Sequence, residues 1–418
     1  MQTNLAPFIK NTAEGKEAEA ILRKCTHCGM CTATCPTYQL LNDELDGPRG
    51  RIYLIKQVLE GTAPSAKTQL HLDRCLTCRS CETTCPTGVR YGRLLEIGRQ
   101  VVEERVGRTP TEAAQRKLLR AVIPSRWLFD PLVGLGQLAR PLLPQALRRK
   151  VPARAAAPKP WPAARHARSM LLLESCAQSS ASPHTNVAAA RVLDRVGITF
   201  AHVPNAGCCG AVSLHLSVLE EALGFMRRNI DAWWPRIEAG AEAIVSTASG
   251  CGVTVKDYGH LLASDPAYAD KAKRISELAK DISEIISAEG AKLKSLIPHP
   301  SSLIPRPRVA FHSPCSLQHG LRLRGTVESL LTSLGYSLTD VPDAHLCCGS
   351  AGTYSVLQPE LSQRLLANKT AALASGNPTA ILTANIGCQM HLQGATALPV
   401  RHWIEALDEG LSSLSHSN

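Results

Sequence analysis

Beyond residue 168, short apolar runs alternate with longer stretches in which apolar and polar residues are spaced as in helices. The short runs predict buried strands over 169–173, 243–247, 308–311 and 380–384. Helices are predicted between them, for example from Asn186 to Val196 and from Glu360 to Ala374. Strands that alternate with helices are typical of parallel sheets covered by helices, so this part of the chain is predicted to have an α/β fold.

Residues 1–6 lack a basic stretch followed by an apolar one, and no apolar run reaches the roughly 18 residues that a membrane-spanning helix needs. The sequence therefore predicts neither a secretory signal peptide nor a membrane span, and we expect a cytoplasmic protein. In that reducing compartment the sixteen cysteines should be thiols or metal ligands rather than disulfides.

Four closely spaced cysteines near the N-terminus recur 50 positions later, and a proline follows each set directly. The sets are Cys25, Cys28, Cys31 and Cys35 before Pro36, and Cys75, Cys78, Cys81 and Cys85 before Pro86. Both follow the pattern C-x2-C-x2-C-x3-C-P, the spacing of bacterial ferredoxins with two [4Fe–4S] clusters. Because structural zinc sites favour two separated pairs of ligands, we predict two [4Fe–4S] clusters here rather than zinc.

The proline-linked fourth cysteine of such a run binds the cluster of the other run. The first cluster is therefore predicted to be held by Cys25, Cys28, Cys31 and Cys85. The second cluster is predicted to be held by Cys75, Cys78, Cys81 and Cys35.

The remaining eight cysteines form a second repeat, in which a Cys-Cys-Gly triplet occurs once per copy. The copies contain Cys176, Cys208, Cys209 and Cys251, and Cys315, Cys347, Cys348 and Cys388, which are displaced by 139, 139, 139 and 137 positions. This near-constant displacement predicts a duplicated domain. Cysteines at the ends of parallel strands lie where such sheets bind ligands, so each copy is a candidate additional site for an iron–sulfur cluster or zinc. Redox-active thiols and a purely structural turn remain alternatives.

Together these patterns predict an α+β multidomain protein. A mostly helical, ferredoxin-like N-terminal module with two clusters (1–105) should be followed by a helical connector and linker (106–168). The duplicated α/β cysteine-rich domain should follow, with its first copy at 169–298 and its second at 305–418. Within the module, a helix is predicted from Gly47 to Glu60, and the prolines at 298–307 indicate a linker between the two copies.

The formal net charge of the chain is +11. Each oxidised cubane with four thiolates carries a net charge of about −2, so two clusters would offset about four of these positive charges. Aromatic residues make up only 4% of the chain, which leaves few side chains on which bases could stack. We therefore expect no binding of nucleic acid.

Residues 118–150 combine leucines, Trp127 and Phe129 with several arginines. Such a segment can lie in the interface of a bilayer, which would place the protein peripherally on the cytoplasmic face of the inner membrane. The alternative is a helical connector that packs on the other domains or on a partner subunit.

The paired ferredoxin runs followed by two Cys-Cys-Gly domains resemble the family of iron–sulfur subunits of bacterial glycolate oxidase. Segments 44–52, 247–252 and 384–388 add to this resemblance. Related proteins are the cysteine-rich subunits of anaerobic glycerol-3-phosphate dehydrogenase, lactate-utilisation proteins and heterodisulfide reductase.

The resemblance implies an electron-transfer subunit of an oxidoreductase complex, with no catalytic residue on this chain. A FAD-containing 2-hydroxy-acid dehydrogenase partner would oxidise glycolate to glyoxylate, and this chain would pass electrons towards quinone or another membrane acceptor. No flavin is expected here, because the G-x-G-x-x-A match at 134–139 lacks a clean preceding strand. The alternatives are an equivalent subunit for lactate or glycerol-3-phosphate, a heterodisulfide-reductase-like thiol enzyme, and a metal-stabilised scaffold without redox activity.

The chain departs from the heterodisulfide reductase relatives, whose domains each use five cysteines. Ala248 and Asn385 occupy the positions of the fifth cysteine, so each copy offers four. His312 and His391 lie near the second set and are expected to be satisfied structural histidines. Between the ferredoxin runs, a solvated or cluster-contacting helix start is expected to account for Asp43, Asp46, Arg49 and Arg51.

Overall fold

The computed structural model describes residues 1–144, 148, 151–154, 156–296 and 307–414. Parts of three predictions lie outside these residues. They are Arg149 and Lys150 of the connector, the linker at 298–302 with Pro305, and the domain limits at 298, 305 and 418.

The N-terminal module is helical, and its helices pack around a single apolar core. Its α-helices are Pro7–Lys10, Ala13–Lys24, Pro36–Leu41, Pro48–Leu59, Ala66–Asp73, Ser80–Thr84 and Tyr91–Val106, with 3-10 helices at Met30–Thr34 and Glu44–Asp46. Helix Pro48–Leu59 matches the prediction for 47–60. It packs closely on helix Tyr91–Val106, because a Cβ atom on Gly98 would lie 2.6 Å from Cγ1 of Ile55.

The connector forms two helices, Pro110–Val122 and Arg126–Ala139, followed by a 3-10 turn at Arg140–Leu142. The first begins with a capping box, in which the side chains of Thr109 and Glu112 bond reciprocally to backbone N–H groups. The G-x-G-x-x-A segment at 134–139 lies inside the second helix and is therefore not a strand-to-helix phosphate loop. Among the described residues, no helix is long and apolar enough to cross a bilayer.

Two four-stranded parallel sheets follow, and their topologies are the same. Strands β1 to β4 are Arg168–Leu172, Ile198–Ala201, Ile244–Ser246 and Ala279–Asp281, and strands β5 to β8 are Arg308–His312, Ser337–Leu338, Ala380–Thr383 and Val400–His402. The strand orders are β2-β1-β3-β4 and β6-β5-β7-β8. Every pair is parallel. The predicted fold class and the duplication are thereby confirmed.

Helices cover both sheets, and the cysteines lie in loops and helices that follow the strands. In the first cysteine-rich domain they are Gln178–Ala181, Pro183–Arg195, Ala211–His215, Leu219–Glu238, Ser249–Lys256, Tyr258–Leu261, Ala269–Leu278, Ile282–Ala288 and Gly290–Ser295. In the second they are a π-helix at Ser316–Gly320 and α-helices Thr326–Ser333, Tyr354–Leu357, Pro359–Ala374, Ile386–Gln393 and Trp403–Leu414.

The two cysteine-rich domains share one apolar core, which includes Ile198 and Phe200 from the first and Phe311 and Trp403 from the second. Helix Pro183–Arg195 packs on helix Trp403–Leu414. At the edge where the cysteines lie, the hydroxyls of Ser249 and Ser316 are 2.7 Å apart, and the backbone N–H of Gly250 donates to Oδ1 of Asn385 over 3.3 Å. The duplication therefore brings its two cysteine-bearing edges together.

Candidate functional site

The eight cysteines of the ferredoxin runs line two neighbouring cavities. The first cavity has an empty volume of about 430 Å³ and is lined by Cys25, Cys28, Cys31, Cys81 and Cys85. The second has about 300 Å³ and is lined by Cys35, Cys75, Cys78 and Cys81. Each cavity contains the four cysteines predicted for one cluster, and Cys81 lines both. Four thiols around each cavity are a donor set that fits a [4Fe–4S] cube.

The two cysteine loops have the same backbone conformation, 50 residues apart. His27 and Thr77 have φ of 61° and 54°, and Gly29 and Arg79 have φ of 85° and 59°. These left-handed residues turn the chain between successive cysteines, and a short helix begins directly after each pair. Non-glycine residues seldom adopt this conformation, so the three of them indicate a backbone constrained by the cysteine spacing.

Burial dominates the acidity of most of these thiols. It raises the pKa of Cys31 to about 11, with a further increase from Cys25 nearby. It also raises the pKa of Cys78 and Cys81 well above the usual value. Thiols of this kind stay protonated until a metal ion compensates their negative charge, so binding of iron would release protons.

Cys75 differs from its neighbours because cationic groups surround it. Burial alone would raise its pKa, but the charges of Arg51 and Arg99 and a hydrogen bond from the Tyr91 hydroxyl, 3.5 Å from Sγ, lower it. Arg99 also donates to the carbonyl oxygen of Cys75 over 2.8 Å. The second cavity therefore has a positively charged wall that favours a bound anionic cluster.

Asp46 and Arg51 form a buried ion pair beside this cavity rather than a solvated helix start. Nη2 of Arg51 lies 3.4 Å from Oδ1 of Asp46, and their side chains are 1% and 0% exposed. Asp46 also accepts from Arg74 over 2.8 Å, and Arg51 donates to the Thr37 hydroxyl, which lies 3.3 Å from Sγ of Cys35. For these two residues the expectation of a solvated start is wrong, and that of a cluster-contacting start fits the position beside Cys35.

Arg49 and Asp43 lie nearer the surface. Arg49 is paired with Glu44 over 2.6 Å and sits against Gly29 of the first cysteine loop, where a Cβ atom would lie 2.7 Å from Nη1. The Asp43 carboxylate accepts from the backbone N–H of Leu45 over 2.9 Å and so begins the 3-10 helix Glu44–Asp46.

Each cysteine-rich domain brings its four cysteines into a row of thiol contacts. In the first domain the contacts run from Cys176 to Cys208, from Cys208 to Cys209 and from Cys209 to Cys251. The same order in the second domain is Cys315, Cys347, Cys348 and Cys388, with 3.9 Å between the sulfurs of Cys315 and Cys347. The structure therefore assembles both of the additional candidate sets.

Burial and contacts between neighbouring thiols raise the pKa of cysteines in both rows. Contact with Cys176 lowers the pKa of Cys208, but contact with Cys209 and burial together raise it to about 12. Contact with Cys347 and burial raise the pKa of Cys315 well above the usual value. Cys208 and Cys315 are therefore protonated thiols at neutral pH, which is unfavourable for nucleophilic thiol chemistry and compatible with metal ligation.

The second domain contains one candidate ligand that cysteine spacing does not indicate. A ligand nitrogen of His312 and the sulfurs of Cys348 and Cys388 all lie within 4.8 Å of one another, and all three residues are buried. Nε2 of His312 has no hydrogen-bond partner among the described residues, so the expectation of a satisfied histidine is wrong here. Burial lowers the His312 pKa to about 3, which keeps its imidazole neutral. His391, in contrast, lies 3.2 Å from the Ser362 hydroxyl.

The second cavity lies next to the second cysteine-rich domain. Cys78 and Cys315 pack against the same apolar cluster, which is formed by Leu76, Cys347, Tyr354, Leu361 and Leu365. The Tyr354 hydroxyl donates to the carbonyl oxygen of Arg74 over 3.1 Å, and the Thr83 hydroxyl lies 2.9 Å from Nδ1 of His319. Sequence spacing gave no signal for this contact between cavity and domain.

Two family descriptions match the chain in the regions of these sites. The 4Fe-4S dicluster domain matches residues 21–89, and the Cysteine-rich domain matches residues 170–256 and 309–393. The fold and the cysteine sites thus define a two-cluster iron–sulfur protein with a duplicated cysteine-rich domain.

Comparison with individual proteins identifies the family within this class. The chain is 56% identical to the glycolate oxidase iron-sulfur subunit of Escherichia coli K12 over 98% of this chain and 99% of the relative. It is 28% identical to the probable glycolate oxidase iron-sulfur subunit of Bacillus subtilis 168, over 92% and 91% of the two chains. It is 26% identical to lactate utilization protein A of B. subtilis over 50% of this chain and 85% of that one. The chain belongs to the family of glycolate oxidase iron–sulfur subunits, as its motifs predict.

Proposed function

We propose that this chain is the electron-transfer subunit of a glycolate-oxidising complex. A partner FAD-containing subunit oxidises glycolate to glyoxylate, and this chain carries the electrons towards quinone. The main observation in support of this function is the 56% identity to the E. coli glycolate oxidase iron-sulfur subunit, which extends over 98% of this chain. The similarity to lactate utilization protein A covers only half of the chain, so the lactate alternative has weaker support.

The proposal assigns the predicted ligands to the two cavities of the N-terminal module. Cys25, Cys28, Cys31 and Cys85 would hold one [4Fe–4S] cluster, and Cys75, Cys78, Cys81 and Cys35 would hold the other. When bound, such clusters supply one-electron redox steps to a complex whose flavin accepts electrons in pairs. The residues of this chain hold the clusters close together, since Cys81 lines both cavities, and Arg51 and Arg99 offset negative charge at the second.

The domain limits belong to the same proposal. The module of 1–105 would contain both clusters, the connector would span 106–168, and the cysteine-rich domains would span 169–298 and 305–418. Support comes from the end of helix Tyr91–Val106 and from the start of β1 at Arg168. No group on this chain is proposed to act as a catalytic acid or base.

We also propose that helix Arg126–Ala139 and the turn after it make a peripheral contact with the inner membrane. The exposed side-chain fractions of Trp127, Leu135, Leu138 and Leu142 are 77%, 64%, 67% and 89%. Arg126 and Arg140 flank this surface and suit the anionic headgroups of a cytoplasmic leaflet. A contact there would place the protein beside a quinone acceptor.

The test is to compare two activities of the complex purified with its flavin partner. In Cys28→Ala, glycolate-dependent reduction of a soluble dye that accepts electrons from flavin should persist, while reduction of a water-soluble quinone should fall at least about 100-fold. Thr62→Ala, an exposed position in the same module, is the control and should keep both activities. Normal quinone reduction by Cys28→Ala, or co-purification with a partner that oxidises another substrate, would contradict the proposal.

A further inference from the structure

The second cysteine-rich domain contains a buried group of ligand atoms that the electron-transfer proposal does not use. His312 ends β5, Cys348 belongs to the Cys-Cys-Gly triplet, and Cys388 lies in the first turn of helix Ile386–Gln393 after β7. Their exposed fractions are 2%, 1% and 5%, and their ligand atoms all lie within 4.8 Å of one another. Three separate segments of the domain thus converge on one point.

The histidine side chain supplies independent support for a ligand at this point. Nε2 of His312 is buried and lacks a hydrogen-bond partner among the described residues. A buried polar atom without a partner is destabilising, typically by about 1–3 kcal/mol, so it indicates a missing ion or water. Two thiols are the neighbours of this imidazole, and a nitrogen donor beside two thiolates is a preferred donor set for zinc.

From this geometry we propose that the second cysteine-rich domain binds one zinc ion through His312, Cys348, Cys388 and Cys347. Cys347 supplies the fourth donor, since its thiol contacts that of Cys348. Three thiolates, one neutral imidazole and Zn²⁺ carry a net charge of −1. The buried Lys369, which faces Cys347 and Cys348 and donates to the carbonyl oxygen of Asp343 over 2.7 Å, offsets that charge.

Hydrogen-bond donors around the proposed site suit metal-bound thiolates. Nδ2 of Asn385 lies 3.6 Å from Sγ of Cys388, and the backbone N–H of Ser350 donates to the sulfur of Cys348. N–H groups that donate to a metal-bound sulfur orient and stabilise it. The zinc ion would fix β5, the Cys-Cys-Gly loop and the helix after β7 to one another, on the side of the domain that faces the N-terminal module.

The first cysteine-rich domain cannot build the same site. Leu173 occupies the position equivalent to His312, and Ala248 occupies that of Asn385. Both residues are buried, and neither side chain offers a metal ligand or a hydrogen-bond donor. The duplication has therefore produced one domain with a Cys3His site and one with four cysteines alone.

The experiment uses the full chain purified without oxygen. Its zinc and iron contents are measured by mass spectrometry, and the ligands of the zinc are identified by X-ray absorption spectroscopy. The unmodified chain should contain about one zinc, with all three Zn–S distances near about 2.3 Å and a Zn–N distance near about 2.0 Å. His312→Ala should lose this zinc and keep its iron. His312→Cys should retain zinc with sulfur ligands only. This variant keeps the inference testable if the His312→Ala chain does not fold.

Cys251→Ala, in the first domain at the position of Cys388, is the matched control and should keep its zinc. The inference is overturned if the unmodified chain contains no zinc, if His312→Ala and His312→Cys leave the zinc and its ligands unchanged, or if Cys251→Ala loses zinc equally. Loss of iron in place of zinc from His312→Ala would also overturn it, because the site would then belong to an iron–sulfur cluster. None of these measurements depends on glycolate oxidation.

Discussion

Arg79 of the N-terminal module is paired with Asp257 of the first cysteine-rich domain, with 2.7 Å between Nη2 and Oδ2. Arg79 directly follows Cys78 and has the left-handed φ of 59° that turns the chain towards Cys81. Asp257 ends helix Ser249–Lys256, which contains Cys251. One ion pair thus connects a predicted cluster loop with the cysteine site of another domain.

Asp257→Asn should weaken the contact between these domains. The side chains of Arg79 and Asp257 are 20% and 32% exposed, so solvent screens part of the interaction and we expect a loss of about 1–2 kcal/mol in the free energy of unfolding. Urea denaturation followed by circular dichroism measures this loss. Glu277→Gln breaks a pair in which both side chains are 53% exposed, and its effect should stay within about 0.5 kcal/mol. Equal effects of the two changes would show that the Arg79 pair has no special role.

Removing the charge of Asp46 should destabilise the fold much more than Asp257→Asn does. Asp46→Asn leaves the guanidinium of Arg51 buried without its carboxylate, and losing one partner of a buried pair costs about 3–5 kcal/mol. The same urea experiment applies, with the exposed Glu104→Gln as the control. A loss below about 1 kcal/mol would mean that the buried guanidinium of Arg51 does not depend on this carboxylate.

Two glycines in helices give opposite predictions for the same substitution. Gly98→Ala places a methyl group 2.6 Å from Cγ1 of Ile55, so it should destabilise the module by about 1–3 kcal/mol. Gly134→Ala lies in helix Arg126–Ala139, where no atom of the described residues lies within 4 Å of the new Cβ, and it should stabilise by about 0.5–1 kcal/mol. Thermal unfolding of both variants measures the effects. Destabilisation by Gly134→Ala would contradict the helical conformation of this segment.

The proposed membrane contact is tested by flotation of the purified complex with vesicles that contain anionic lipid. Leu135→Ser with Leu138→Ser removes exposed apolar surface that would enter the bilayer interface, so binding should weaken at least about tenfold. Val356→Ser, which changes an exposed apolar residue outside the connector, should bind as the unmodified chain does. Unchanged binding by the double variant would favour a partner subunit on this surface.

Much of the fold was predictable because its signals are local. The apolar runs that became β1, β3, β5 and β7 are short and buried, and a constant cysteine displacement indicated the duplication. Strands β2, β4, β6 and β8 were not predicted; β6, for example, contains only Ser337 and Leu338, and neither is buried. Such edge strands depend on pairing with a neighbour more than on their own composition.

The candidate sites were predictable only in part, for a similar reason. Cysteine spacing predicted which thiols would share a cavity, because the spacing itself limits the loop geometry. The position of His312 beside Cys348 and Cys388 depends on three segments that are far apart in the sequence. The burial of Asp46 with Arg51 depends on packing against the more distant segment that contains Arg74. In both cases tertiary packing, rather than a pattern in the sequence, determined the partner of a polar residue.

The iron and acid-labile sulfide content of the full chain, purified without oxygen, tests the central claim most directly. Two cubane clusters require at least about eight iron and eight sulfide per chain, and Cys28→Ala should contain about four fewer of each because it loses one ligand of the first cluster. Thr62→Ala should match the unmodified chain. A colourless chain without sulfide, or an unchanged iron content in Cys28→Ala, would contradict the claim that this chain carries electrons through two clusters held by these cysteines.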